Sequence, residues 1–401
     1  MDNLYPKGHE KVTTLGVAST SHEASKKIFN HSINTELEAL KQFKDCYSQD
    51  FVTTAALMPD AHVGYAAPIG AVLITKGFVV PAWVGYDIGC GLIAVRIKGK
   101  DILKKVKENT EKIYNQVNRD VPMGVGEYNK GDLTEKTKKE FENLLKKFES
   151  NPHDKNILQF LKTTARKHLG TLGGGNHFIE LAYYENELWL VIHSGSRGIG
   201  HRVATKYMIK ASGNKDDYEK TFPLDVKSQL GKEYLNILDF GLEYALLNRL
   251  EISYKVVKAL EHALGEKLKS ELYVNKNHNH AILEKGKYIH RKGATPAKKG
   301  EKGIIPGNMR DGTFLVEGLG NKEFLNSSSH GAGRILSRTS AKKNITMKEF
   351  QESMKGIRGT ISQKTLDEAP MAYKNISEVM EAQKKSVKII KHLKPLINWK
   401  G

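Results

Sequence analysis

The sequence predicts an α+β fold in which mainly antiparallel strands lie under charged helices. Two observations carry this. Short β-rich runs bounded by Gly, Pro or Asn recur along the chain, and between them lie longer segments with helical apolar spacing and charged flanks. With 39% apolar and 27% charged residues over 401 positions, the composition can bury a full core and excludes a disordered or collagenous chain.

In chain order, residues 34–46 and 101–117 have helical spacing, with Ile102, Val106 and Ile113 on one side of the second. Residues 134–168 read as two more charged helices, broken at Asn151-Pro152 where proline removes a donor. Strands are expected at 69–75, 92–97, 177–184, 187–193 and 313–317. The apolar-periodic block 228–264 predicts one or two core helices, and 376–392 a late amphipathic helix. Residues 291–313 and 324–334 are the least periodic and read as irregular loops, a class that is usually functional or disordered.

The formal net charge of +18 admits two readings, a polyanionic partner such as nucleic acid or a plainly solvated lysine surface. No window approaches the ~20 apolar residues of a membrane span, and the first residues lack a signal-peptide pattern, so a cytoplasmic protein is expected. Two cysteines, Cys46 and Cys90, cannot staple a chain of this size.

Five segments hold chemistry-bearing side chains in glycine-rich turns. Asp87 and Cys90 stand three residues apart, a spacing that lets a carboxylate and a thiolate share metal ions, or else an acidic turn residue beside a small buried cysteine. His177 follows three glycines, and His193 ends the next β-run; the two meet if those runs form a hairpin, and otherwise each is a hydrogen-bonded strand-end histidine. Asn277-His278-Asn279-His280 offers one imidazole as a ligand and a neighbour to orient it, and in an extended chain His278 and His280 share a face. In Ser327-Ser328-Ser329-His330-Gly331-Ala332-Gly333-Arg334, a helix starting near Gly331 would place free amides beside His330 and align Arg334, Arg338 and Lys342; the alternative is a capped, solvent-facing basic helix. A neutral imidazole is a competent nucleophile on phosphorus. Asp60-Ala61-His62 reads on its own as a surface turn, or as a positioning pair.

Taken together, these segments resemble the RNA-splicing ligase RtcB family. MPDAHVG (58–64), PAWVGYDIGCG (81–91), HLGTLGGGNHFIE (168–180), HSGSRGIG (193–200), HRKGA (290–294), IIPGNM (304–309), SSSHGAGR (327–334), APMAYK (369–374) and Lys400-Gly401 occur in that family's order. The resemblance implies a GTP-dependent enzyme with two Mn²⁺ ions. It would join RNA ending in a 2′,3′-cyclic phosphate or 3′-phosphate to RNA beginning with a 5′-hydroxyl, in tRNA splicing or RNA repair. Carried over by residue, Asp87, Cys90, His177, His193 and His278 hold the metals, with Cys90 bridging, and His330 attacks GTP to form a histidine–GMP adduct. Asn176, Glu180, Asn308, Tyr373 and Lys400 surround the guanylate, with Gly331, Gly333 and Arg334 beside it. The ligand chemistry alone does not select manganese, because one thiolate and several imidazoles bind zinc more tightly. An archease-like activator is a possible partner of such an enzyme.

Departures from the family pattern are Tyr65-Ala66 in place of Lys-Gly, Asn308 in place of Ser, the bulky Arg310-Asp311 that follows, and Ser328 in place of Cys. They point to a divergent subgroup. Two other functions compete: a metal-dependent cyclic phosphodiesterase or RNA 3′-end processing enzyme without ligation, and a basic RNA-binding scaffold favoured by charge alone. Because the implied ligands span 87–278 and the nucleotide positions 176–400, a single catalytic domain over 1–401 is expected, with 101–168 as a peripheral helical excursion. Arg334, Arg338, Lys342 and Lys343, and the loop cations Arg291, Lys292, Lys298, Lys299 and Lys302, are the expected RNA-backbone contacts. Cys46 is expected to be structural.

Overall fold

The expected β-runs assemble into two main sheets. A computed structural model describes residues 26–401. One sheet orders five strands, Lys27–Asn30, Val52–His62, Ile69–Thr75, Lys287–Lys292 and Asn279–Glu284, antiparallel except for the first pair. The other orders seven antiparallel strands, Lys302–Pro306, Thr313–Gly318, Val387–Lys400, Phe178–Tyr184, Glu187–Ser194, Gly91–Lys98 and Lys269–Asn277. The chain leaves the edge strand of the larger sheet at Asn277 and enters the edge strand of the smaller one at Asn279. His278 sits at that crossing.

Gln229–Leu264 is one continuous 36-residue helix. The Ser228 hydroxyl accepts from the Gly231 N–H at its start, and Gly265 closes it in the left-handed conformation (φ 70°). The helix is buried on more than one side. Ile252, Val256 and Leu260 pack on Ile93, Leu190 and Ile192 of the larger sheet, while Leu238, Phe240 and Tyr244 meet Phe141, Leu144 and Phe148 of the helix Glu135–Glu149. Each such side chain removed from water contributes roughly 1.5–3 kcal/mol. The expected helix over 101–117 is two helices, Ile102–Glu108 and Thr110–Asp120, divided at Asn109, whose backbone leaves helical geometry (φ −115°, ψ 23°).

Three expectations are corrected. The late helix covers only Ile376–Ala382, and the chain then forms the strand Val387–Lys400. Its first half pairs with Thr313–Gly318 and its second half with Phe178–Tyr184, with a register shift between Pro395 and Ile397, and this pairing fixes it as a strand. The stretch 291–313 contains the short strands Ala294–Pro296 and Lys302–Pro306, and 324–334 contains Ser327–Ser329; the glycines there mark turns between strands rather than one long loop. No helix starts at Gly331. The helix lies later, at Arg338–Asn344 capped by Ser337, so Arg334 is not on it.

No helix among the described residues is long and apolar enough to cross a membrane. The first 25 residues, where the absence of a signal-peptide pattern was read, lie outside the described residues.

Candidate active site

A cleft of about 1510 Å³ collects residues from nearly every strand end named above. Asp87, Cys90, His193, His278 and His330 line it, together with Asn176, Glu180, Asn308, Gly331, Gly333, Arg334, Tyr373 and Lys400. His177 stands immediately behind, 2.8 Å from Asp87 Oδ2 through its Nε2.

The expected hairpin exists, with Phe178 opposite His193, and it brings His177 and His193 together. Cys90 Sγ lies 3.1 Å from His193 Nε2 and 3.6 Å from His177 Nε2. His193 Nε2 lies 3.3 Å from His278 Nε2. The opposite ring nitrogens explain which atoms carry protons: His177 Nδ1 donates to the Leu172 carbonyl and His193 Nδ1 to the Asn176 carbonyl, both at 3.1 Å. Both Nε2 atoms therefore turn toward the Cys90 sulfur, with His177 Nε2 also beside Asp87 Oδ2 and His193 Nε2 beside His278 Nε2. Burial pushes the His193 and His278 imidazoles well below their usual range, so protonation does not relieve the repulsion. A shared cation does. Two ligand atoms on one tetrahedral ion stand about 3.4 Å apart at typical metal–nitrogen and metal–sulfur lengths, close to the separations here. The donor set, one sulfur, three imidazoles and a carboxylate, fits a borderline transition-metal ion.

The turns that carry these donors are tied to one buried cation. Arg249, on the long helix and fully buried, donates to the carbonyls of Gly89 (3.0 Å) and Ser194 (2.8 Å) and to the side chains of Asn275 (2.7 Å) and Asn277 (2.6 Å). Each partner is next to, or near, Cys90, His193 or His278. Burial lowers the guanidinium to about 10, so it stays charged at neutral pH and favours the anionic forms of Cys90 and Asp87. A side chain on residue 195 would overlap Asp87, whose Oδ1 lies 2.0 Å from where a Cβ would stand, so Gly195 is required.

His330 is held from the other side of the fold. Its Nδ1 lies 2.6 Å from Asp60 Oδ2, and the same oxygen accepts from the backbone N–H groups of His330 (3.1 Å) and Gly331 (3.2 Å). Asp60 is fully buried at the end of its strand, not in a surface turn. Burial disfavours its charge, but His330, His62 and Lys374 together outweigh burial and hold the carboxyl below its usual range. The amides expected to bind an anion beside His330 are thus occupied by Asp60. Gly333 (φ 75°) lets this contact close, since a Cβ there would fall 2.2 Å from the Asp60 carbonyl oxygen. The His330 and His278 rings meet edge to face at 4.9 Å, which joins the nucleophile candidate to the donor cage.

A second carboxylate organises the far wall. Glu368, 2% exposed, accepts from Lys400 Nζ (2.6 Å), Tyr373 Oη (2.7 Å), Arg338 Nη1 (2.6 Å) and Arg334 Nη1 (3.3 Å). Burial alone would raise its carboxyl; the charges of Lys400 and Arg338 reverse that and hold it at about 2. Glu180, by contrast, is raised to about 7 by burial, with only a Thr313 hydroxyl (2.9 Å) bonded to it and the Lys400 charge to offset it. Asn308 lines the cleft, but its amide is engaged within its own turn by Asp311 (2.7 Å) and by the N–H groups of Arg310 and Asp311 (both 3.0 Å).

Comparison with known proteins decides the family. The family model described as tRNA-splicing ligase RtcB matches residues 42–401. The chain belongs to the RtcB family. It is 34% identical to the RNA-splicing ligase RtcB of Escherichia coli K12 over 95% of this chain and 98% of that protein. It is 30% identical to the tRNA-splicing ligase RtcB of Nanoarchaeum equitans over 86% of this chain and 87% of that protein.

Several expectations about basic residues need correction in this RtcB chain. Arg334, Arg338 and Lys342 do not form a free rail: the first two bond Glu368, and Arg338 and Lys342 lie 2.5 and 3.5 Å from Asp367. Arg291 is fully buried, bonded to Ser327 and His280, and Lys292 is buried on the Ala82 carbonyl. Lys298 pairs with Glu284. His280 bonds Arg291 and does not line the cleft, so it parts from His278. Cys46 is buried, with its thiol pushed up to about 12 by burial, in keeping with a structural role. Arg249 and Glu368 were not singled out from the sequence, although Glu368 directly precedes a quoted motif; Asp60 was named there as a surface turn or, as the alternative, part of a positioning pair.

Proposed function

We propose that this chain is an RNA ligase that joins a 2′,3′-cyclic phosphate or 3′-phosphate end to a 5′-hydroxyl end through a His330–GMP intermediate. One observation carries the reading: a histidine gripped at Nδ1 by a buried carboxylate stands in ring contact with a cage of metal-donor side chains, in one cleft. With Nδ1 2.6 Å from the Asp60 carboxylate, His330 has Nε2 to attack the α-phosphorus of GTP; the N–P bond forms as the bond to pyrophosphate breaks. Asp60 then stabilises the charge that develops on the ring. The GMP moves to the RNA 3′-phosphate, and the 5′-hydroxyl oxygen displaces GMP to close the phosphodiester. Two divalent cations, manganese in this reading, held by Asp87, Cys90, His177, His193 and His278, would supply the positive charge that such transfers between anions require.

In this reading Asn176, Glu180, Tyr373, Arg334 and Lys400 bind the guanylate, with Gly331 and Gly333 beside it. Guanine presents N1–H and N2–H₂ as donors, which an ionised Glu180 accepts. Glu180 titrates near 7 in the free protein, and GTP binds its ionised form, so affinity falls as pH drops through that value. The KM for GTP should rise about tenfold per pH unit below 7, and Glu180→Gln should flatten that profile. A wild-type KM unchanged between pH 6 and 8 would count against this role.

Product analysis tests the activity as a whole. Two short RNAs, one with a 3′-phosphate and one with a 5′-hydroxyl, should yield a joined strand that depends on GTP and Mn²⁺. Cyclic ends opened to 3′-phosphates without joining, and without need of GTP, would instead indicate a phosphodiesterase.

A further inference from the structure

Away from the guanylate wall, the same cleft carries an aromatic feature that the ligation chemistry does not use. Tyr65 is 61% exposed and lines the cleft. Its ring packs edge to face on Tyr86 at 5.4 Å, and Tyr86 stacks on His201 at 4.6 Å with the planes 15° apart. The Tyr86 hydroxyl is hydrogen-bonded to Glu219, which fixes the middle ring. Tyr65 itself is exposed but not loosely held. The Gln42 side chain donates to the carbonyls of Gly64 and Tyr65, both at 2.9 Å, and accepts from the Gly64 N–H at 3.0 Å. An exposed aromatic side chain on a clamped backbone is pre-organised to receive something planar.

The surroundings say what. Tyr86 is the immediate neighbour of Asp87, so the rings adjoin the donor cage. Arg197 and Arg202 line the same cleft, and Lys292 Nζ, although bonded to the Ala82 carbonyl, lies 5.9 Å from the Tyr65 ring centre. A planar group offered a cation, beside a centre that handles phosphate ends, is a nucleobase on a phosphodiester chain. Bases stack on aromatic side chains in a sequence-tolerant way, and only an unpaired base presents its face.

We propose that Tyr65, backed by Tyr86 and His201, is a stacking platform for an unpaired base of the RNA beside the break. This rests on the RNA-ligase reading for its substrate class but is tested by binding rather than by joining. Single-stranded RNAs ending in a 3′-phosphate or starting with a 5′-hydroxyl are each prepared intact and with an abasic terminal nucleotide, and their affinities are measured by fluorescence anisotropy. Tyr65→Ala should weaken binding of at least one intact RNA about tenfold, a loss within the range that one base–aromatic stack sustains. It should have no effect on the matching abasic RNA, and Tyr65→Phe should bind like the wild type. Whichever strand loses affinity identifies the end that stacks. Equal weakening on intact and abasic RNA, no weakening in either arm, or no RNA binding by the wild-type protein overturns the platform. Selective weakening in a protein that never joins RNA would uphold the platform and sink the ligase reading instead.

Discussion

Cys90→Ala is expected to abolish metal retention and, with it, every nucleotide-transfer step. The sulfur is the atom that His177 and His193 both face, at 3.6 and 3.1 Å, and it is buried at 4% exposure. Without a cation, burial and the Asp87 charge push the thiol well above its usual range, so metal binding must displace its proton. Removing the sulfur leaves imidazole lone pairs facing an empty volume with nothing to bridge them. Loss of a mere supporting partner costs about 10–100-fold in metal affinity, and loss of a direct ligand should cost more. Metal content after dialysis, read by plasma mass spectrometry, checks this, with circular dichroism as the control for folding. Cys46→Ala should keep its metal, since Cys46 packs in an apolar cluster outside the cleft with its thiol bonded to the Ala66 carbonyl. Full metal content in Cys90→Ala would contradict the cage.

Glu368→Ala is expected to destabilise the protein by about 3–5 kcal/mol, the usual cost of leaving a buried partner charge unpaired. Lys400 and Arg334 have side chains only 6% and 15% exposed, and Glu368 is the carboxylate within ion-pair distance of both. Equilibrium urea unfolding would read the loss, and Glu368→Gln should be milder because its carbonyl still accepts from Lys400 and Tyr373. The pH dependence has a definite sign. Glu368 is held at about 2 when folded and returns toward its ordinary value when unfolded. Its stabilisation is therefore complete above about 4.5 and is lost as pH falls from there toward 2. A Glu368→Ala protein as stable as wild type would show that the four bonds to this carboxylate are replaceable by water.

The parts of the site that could be read in the sequence were those whose chemistry is local. Glycine-rich turns around Cys90, His177, His193 and His330 announce themselves because small residues and reactive ones occur together within a few positions. The strands 69–75 and 313–317 were legible from β-branched runs between turn residues. Asp60 was not, because its meaning lies in a contact with a residue 270 positions later, and the segment alone looks like a turn. Glu368 and Arg249 escaped for the same reason: a charged residue on a short helix or inside a long one reads as surface until its partners are known. The segment after Ala382 misled because lysines alternating with Val387, Ile389 and Ile390 satisfy helical and extended periods alike, and the neighbouring strands decide between them. The expected basic rail failed because sequence spacing places cations on a face but does not reveal the buried carboxylates, Asp367 and Glu368, that neutralise them.

In the proposed ligation, His330 Nε2 is the atom that accepts GMP. The most direct test is to incubate the metal-loaded protein with α-labelled GTP and no RNA, then locate the label by peptide mass spectrometry. One acid-labile GMP on the peptide containing His330, lost in His330→Ala and reduced in Asp60→Ala, is the expected result. Label on another residue, or a joined RNA product formed by His330→Ala, would contradict it.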